Sequence, residues 1–208
     1  MRDQSQKEEL YNAITHGIGF LLSLVGFALL IVFQKYDSTR GLVAVILYGL
    51  SLSMLYFVSS IYHYEKNDNR KQIFRKLDHI SIYLLIAGTY SPVVLIVLED
   101  SHGWLLFWIV WGIAILGTIL KVFFTGRFEI ISVILYLFMG WLIVFDIEAL
   151  LQKIDLTGIL LLAGGGVAYT VGIIFYALDR IKYSHVIWHL FVLAGSILHY
   201  LFVFLKVI

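Results

Sequence analysis

The residues best able to do chemistry sit in three short stretches. Near the C-terminus, YSHVIWHLFVLAGSILHY carries His185, His189 and His199 in a run otherwise apolar enough for lipid. Near the middle, SSIYHY and KLDHISIY supply Ser59, His63, Asp78 and His79. His185 and His189 are four apart, so on a helix they stack on one face. Two imidazoles chelate one ion that way in helical zinc sites, and Ser59 and His63 share the spacing. The chain has no cysteine, which excludes disulfides and thiolate metal sites; any metal must sit on His, Asp, Glu or hydroxyl oxygen.

A plainer reading stands beside this one: histidines in a helix bundle are also satisfied packing residues. Asp78, taken singly, has a helix cap as its rival, because it precedes an apolar run whose first amides need acceptors. His79 points away from Asp78 on a helix and is expected to pack or to support the site. His16 in NAITHGIG is open between a structural hydrogen bond and contact with the site. His102 in EDSHGW reads as solvated. His199 lies ten residues past His189, about 15 Å along a helix, too far to share its ion; it is expected to meet another buried polar group.

The elements that position these groups follow from composition. Of 208 residues, 61% are hydrophobic and 14% charged, against about 45–50% and about 25% in an average soluble domain. A chain this short cannot bury so much apolar surface in a water-soluble core. Seven stretches reach the roughly 20 apolar residues a spanning helix needs, at residues 13–33, 42–62, 80–98, 104–124, 130–151, 157–178 and 185–207. They are apolar all round, which excludes a barrel of alternating strands. The expected fold is an all-α, multi-pass integral membrane protein, a seven-transmembrane helix bundle forming one domain over residues 1–208. No small-residue cleavage pattern follows the first apolar run, so that run is expected to be retained as a span. Pro92, inside the third span, predicts a kink or local unwinding. The glycine run LAGGGVAYTVG predicts close helix contact.

Eleven of the fifteen Lys and Arg residues, Arg2 and the run Lys66–Lys76 among them, fall at the N-terminus and the second, fourth and sixth connections. The excess of basic residues predicts a cytoplasmic N-terminus and an outside C-terminus. The run Lys66–Lys76 reads first as a topogenic loop, and it can also attract anionic lipid. A net charge of +1 without a basic, aromatic-studded patch excludes nucleic acid as a partner; membrane lipids are the expected one. Given seven spans, Ser59, His63, Asp78, His79, His185 and His189 all fall in one layer near the cytoplasmic face.

The runs ITHGIGF with Asn12 ahead of it, SSIYH, LDHISIYLLIAGTYSP, GGGVAYTVGIIFYALDR and SHVIWHLFVLAGSILH resemble the hemolysin III branch of the progestin and adipoQ receptor family along essentially the whole chain. The resemblance implies an intramembrane Zn²⁺ site with His63, His185 and His189 as direct ligands. It implies that Asp78 holds the ion through a water, with Ser59 supporting that water or the carboxylate. Three nitrogen ligands and an open position suit a catalytic zinc, with Asp78 taking a proton. Together with the related alkaline ceramidases, the resemblance implies hydrolysis of an acyl lipid, amide or ester, in a bacterial plasma membrane. Two other functions are open. One is a non-enzymatic membrane sensor or receptor in which zinc only ties spans together. The other is a cytolytic hemolysin, which seven obligate spans make difficult to export.

Overall fold

A computed structural model of the chain describes residues 4–35, 38–178 and 180–208. Arg2, counted with the basic residues above, and Asp179, in the run quoted for the resemblance, lie outside the described residues. The first span is α1 (Gln6–Phe33), the second α2 (Thr39–Tyr64) and the third α3 (Asp68–Pro92). The fourth is α4 (Gly103–Phe124), and the fifth joins α5 (Glu129–Trp141) to α6 (Ile147–Lys153). The sixth is α7 (Leu156–Ala177) and the seventh α8 (Ser184–Phe202). All seven are long and apolar enough to cross a membrane, and no strand occurs among the described residues. Their outward faces expose Leu21, Val32, Phe123, Ile130 and Phe145, a surface that only lipid solvates at no cost.

The third span is the most enclosed and forms the spine of the bundle. It starts twelve residues before the apolar run, at Asp68, because the Asn67 side chain accepts from Arg70 N–H and caps it there. Asp78 is therefore deep inside a helix rather than at its start, and the cap reading of that residue is wrong. The helix continues through Pro92 and loosens into a π-turn over Val93–Val97, closed by Leu98 N–H to Val93 O at 3.0 Å. This is the unwinding expected from a residue with no N–H to donate.

The fifth span contains a break that its sequence does not announce. Between α5 and α6 the chain tightens to a 3₁₀ turn over Leu142–Asp146. The Tyr90 hydroxyl from α3 donates to Gly140 O at 3.0 Å and accepts from Ile143 N at 2.9 Å. One phenol thus satisfies both backbone groups that the break frees. On α7 the glycines do allow close contact. A methyl group on Gly165 would lie 2.1 Å from His199 Cδ2, and one on Gly172 would lie 2.8 Å from the Phe191 Cβ and Trp188 Cε3 of α8.

Candidate metal centre

Four helices build the site at the end of the bundle where the N-terminus lies. On α2, Ser59 and His63 share one face, both buried. On α8, His185 and His189 stack one turn apart, their ring centroids 4.8 Å from each other. Tyr183 sits immediately before α8 with φ +63, a left-handed conformation uncommon for a bulky residue. Its N–H donates to Glu8 Oε1 at 2.7 Å, so the start of α1 holds the turn that launches the histidine helix.

One nitrogen from each of His63, His185 and His189 lies within 4.8 Å of the other two. Bonds of about 2.0–2.1 Å to a tetrahedral ion would set such nitrogens roughly 3.4 Å apart, which modest χ rotations supply. The hydrogen bonds prepare the same result. His63 Nδ1 lies 2.6 Å from Glu9 Oε2; a carboxylate accepts, so Nδ1 carries the proton and Nε2 keeps its lone pair. That Nε2 is buried and has no hydrogen-bond partner, a cost that a metal ion would relieve. The contacts of His189 favour the same tautomer. Thr15 Oγ1 donates to Tyr11 O at 2.9 Å or Asn12 O at 3.0 Å. Towards His189 Nδ1, 3.5 Å away, it can therefore only accept. The donor set fits a nitrogen-loving divalent ion.

A cavity of about 30 Å³ adjoins the cluster, lined in part by Ser59, Asp78, His185 and His189, room for a water or two. Ser59 Oγ is buried without a partner. Asp78 lines the same cavity but is not one of the converging ligands. His79 also lines it without being a converging ligand: its Nδ1 donates to Arg75 O at 2.8 Å and lies 3.6 Å from Asp78 Oδ2, and Nε2 faces Glu129 Oε2 at 3.9 Å. Glu129 is already held by the buried Lys121 ammonium at 2.7 Å. His199 is distant from the centre and gives its Nε2 proton to Leu162 O at 3.0 Å. His102 is largely exposed, yet it is tied to Asp146 at 3.2 Å rather than merely solvated.

Sequence reasoning missed the part played by α1. His16 stacks on His189 with centroids 3.6 Å apart and planes 9° from parallel, and neither of its ring nitrogens has a hydrogen-bond partner. Of the two roles open to it, contact with the site is the one observed. Glu9 bridges His63 to Lys71 Nζ, 2.6 Å from its other oxygen. The available signal was the helical spacing of Glu9, Asn12 and His16, polar positions on a single face of an otherwise apolar span.

The fold and this cluster define a multi-pass membrane protein with a buried three-histidine centre able to hold a metal ion. A family model described as haemolysin-III related matches residues 4–200. The "Hemolysin-3" of Bacillus cereus is 44% identical over 194 residues, 93% of this chain and 89% of the relative. The "Hemolysin-3 homolog" of Bacillus subtilis (strain 168) is 43% identical over 191 residues, 91% of this chain and 90% of the relative. More distantly, the "Monocyte to macrophage differentiation factor" of Homo sapiens is 29% identical over 200 residues, 93% and 82% of the two chains. The chain belongs to the hemolysin III family.

Proposed function

We propose that this protein is a zinc-dependent hydrolase of acyl lipids, working with its histidine end at the cytoplasmic leaflet. The observation that carries the reading is the convergence of three imidazoles with the His63 Nε2 lone pair left bare by the Glu9 contact. A zinc ion, which His63, His185 and His189 would hold, would supply a Lewis acid and lower the pKa of a water to about 7. The Asp78 carboxylate faces the same cavity and takes the proton of the attacking water as oxygen bonds to the carbonyl carbon. Ser59 Oγ, which lines the same cavity without a partner, orients that water. Cleavage of the acyl bond returns the proton from Asp78 to the leaving amine or alcohol, so the products are a carboxylic acid and an amine or alcohol.

The acyl chain has somewhere to go. Leu55, Ile82, Trp188 and Val192 line both the histidine cavity and a second cavity of about 90 Å³. Thr89, Tyr90, Gly140 and Gly166 in turn line both that cavity and a third of about 100 Å³. From Ile82 to Val93 this series follows α3 for roughly 17 Å at 1.5 Å per residue. That compares with the roughly 15 Å half-thickness of a bilayer core, which one acyl chain spans.

The small volume beside the histidines, about 30 Å³, favours a second reading in which zinc only ties α2 to α8 in a membrane sensor. Lipid amides and esters presented to the zinc-loaded protein in nanodiscs separate the two. The hydrolase reading expects release of fatty acid that stops on chelation. A fully zinc-loaded protein inert on both lipid classes contradicts it and leaves the sensor.

A further inference from the structure

In the basic cluster around the start of α3, Lys66, Arg75 and Lys76 have no ion pair among the described residues, and of these three only Arg75 is partly buried rather than exposed. The other two cations are paired: Lys71 Nζ meets Glu9 at 2.6 Å and Arg70 Nε meets Glu65 at 3.2 Å. Arg75 forms no ion pair among the described residues, and its Nε is buried without a hydrogen-bond partner. An unmet guanidinium N–H shielded from water is costly, and fold stability gives no reason for it here.

Its position supplies one. Arg75 lies three residues before Asp78 and four after Lys71, so all three share a face of α3. Asp78 and Ile82, further along that face, line the histidine cavity, and Ile82, Ile86 and Thr89 line the apolar cavity beyond. One helix face therefore reads cation, carboxylate, apolar groove. An anionic acyl lipid has the same order: phosphate, acyl carbonyl, hydrocarbon. The helix rise from Arg75 to Asp78 is about 4.5 Å, comparable to the glycerol backbone that separates phosphate from acyl ester.

We propose that Arg75 anchors an anionic phosphate headgroup, so that the lipid taken by this site is a phospholipid rather than a neutral amide. This rests on the lipid-hydrolase reading for its setting, and binding tests it apart from turnover. The planar guanidinium suits a phosphate because its donors meet two oxygens at once. The measurement is native mass spectrometry of the zinc-loaded protein with phosphatidylglycerol and with diacylglycerol of identical acyl chains. The wild type is expected to bind phosphatidylglycerol about tenfold more tightly, the worth of one charge-assisted contact. Arg75→Gln brings the two lipids to near parity with zinc content and melting temperature unchanged, and Arg75→Lys keeps an intermediate preference. Lys66→Gln with Lys76→Gln, on the exposed side of the same cluster, leaves the preference intact.

A preference that survives Arg75→Gln, or one that the Lys66 and Lys76 pair removes equally, overturns the subsite. So does displacement of the lipid by an equal concentration of inorganic phosphate, which would make the ligand a free anion. An Arg75-dependent preference without fatty-acid release sinks the hydrolase reading and leaves the subsite. Release without any headgroup preference does the reverse.

Discussion

At the end of the bundle holding the connections around residues 98–102 and 154–155, the prominent charges are matched. Arg40 meets Glu99 at 2.8 Å and Lys206 meets Asp155 at 2.5 Å. Lys153 Nζ donates to Val97 O at 2.9 Å. Asp146, nearly buried, accepts from Ser101 Oγ at 2.7 Å and from the His102 N–H at 3.0 Å. At the other end, His16, Ser59, His63, His79 and Arg75 all keep buried polar atoms with no partner. Native proteins leave few buried polar groups unmet. At the matched end Gln34 Oε1 is an exception, buried without a partner, but the unmet atoms gather at the histidine end, the pattern expected of a region built to receive a ligand rather than only to hold.

Substitutions at the two ends sharpen this contrast. Asp78→Asn is expected to lower fatty-acid release by roughly 10²–10⁴-fold, the usual worth of a general base, while zinc content stays at the wild-type level. Glu9→Gln exchanges the carboxylate that fixes the His63 ring for a neutral amide, a weaker acceptor, and weakening a partner of that kind costs up to about 10–100-fold in metal affinity. Competition with a zinc chelator reads this without any turnover. If Glu9→Gln binds zinc as tightly as the wild type, the histidine end is less organised around its ligands than the geometry indicates.

The matched end should answer in stability alone. Asp146→Ala leaves the donors of Ser101 and His102 unmet, for a loss of about 1–3 kcal/mol in thermal melts, and zinc affinity does not change. Asp155 gives the smallest effect. The Lys206 ammonium and then the Gly158 N–H hold its carboxyl below the ordinary range. Its contribution is therefore complete above the unfolded carboxylate pKa and fades as pH falls through the depressed folded value. Asp155→Asn should slightly lower the melting temperature at neutral pH and flatten its dependence on acid. A zinc response to either substitution would break the separation between the ends.

How much of this was legible in the sequence differs from helix to helix. His185 and His189, like Ser59 and His63, declare themselves because helical spacing survives in one dimension. The seven apolar runs likewise give the spans. Asp78 was ambiguous because hydropathy marks where lipid begins, not where a helix begins, and α3 extends past the lipid on its Asn67 cap. The break after α5 was invisible, since it depends on a Tyr90 hydroxyl from another span. Glu9 was unread, and His16 left open between two roles, for a related reason. Their roles exist only once α1 packs against α2 and α8, and no local pattern ranks one inward polar residue above another.

The most direct measurement is the zinc content of the purified protein in lipid, for the wild type, His63→Ala, His189→Ala and His102→Ala. Close to one ion per chain is expected in the wild type and His102→Ala, with the ion gone from the other two although they remain folded. Folded His63→Ala and His189→Ala proteins that keep a full complement of zinc would contradict the account at its centre.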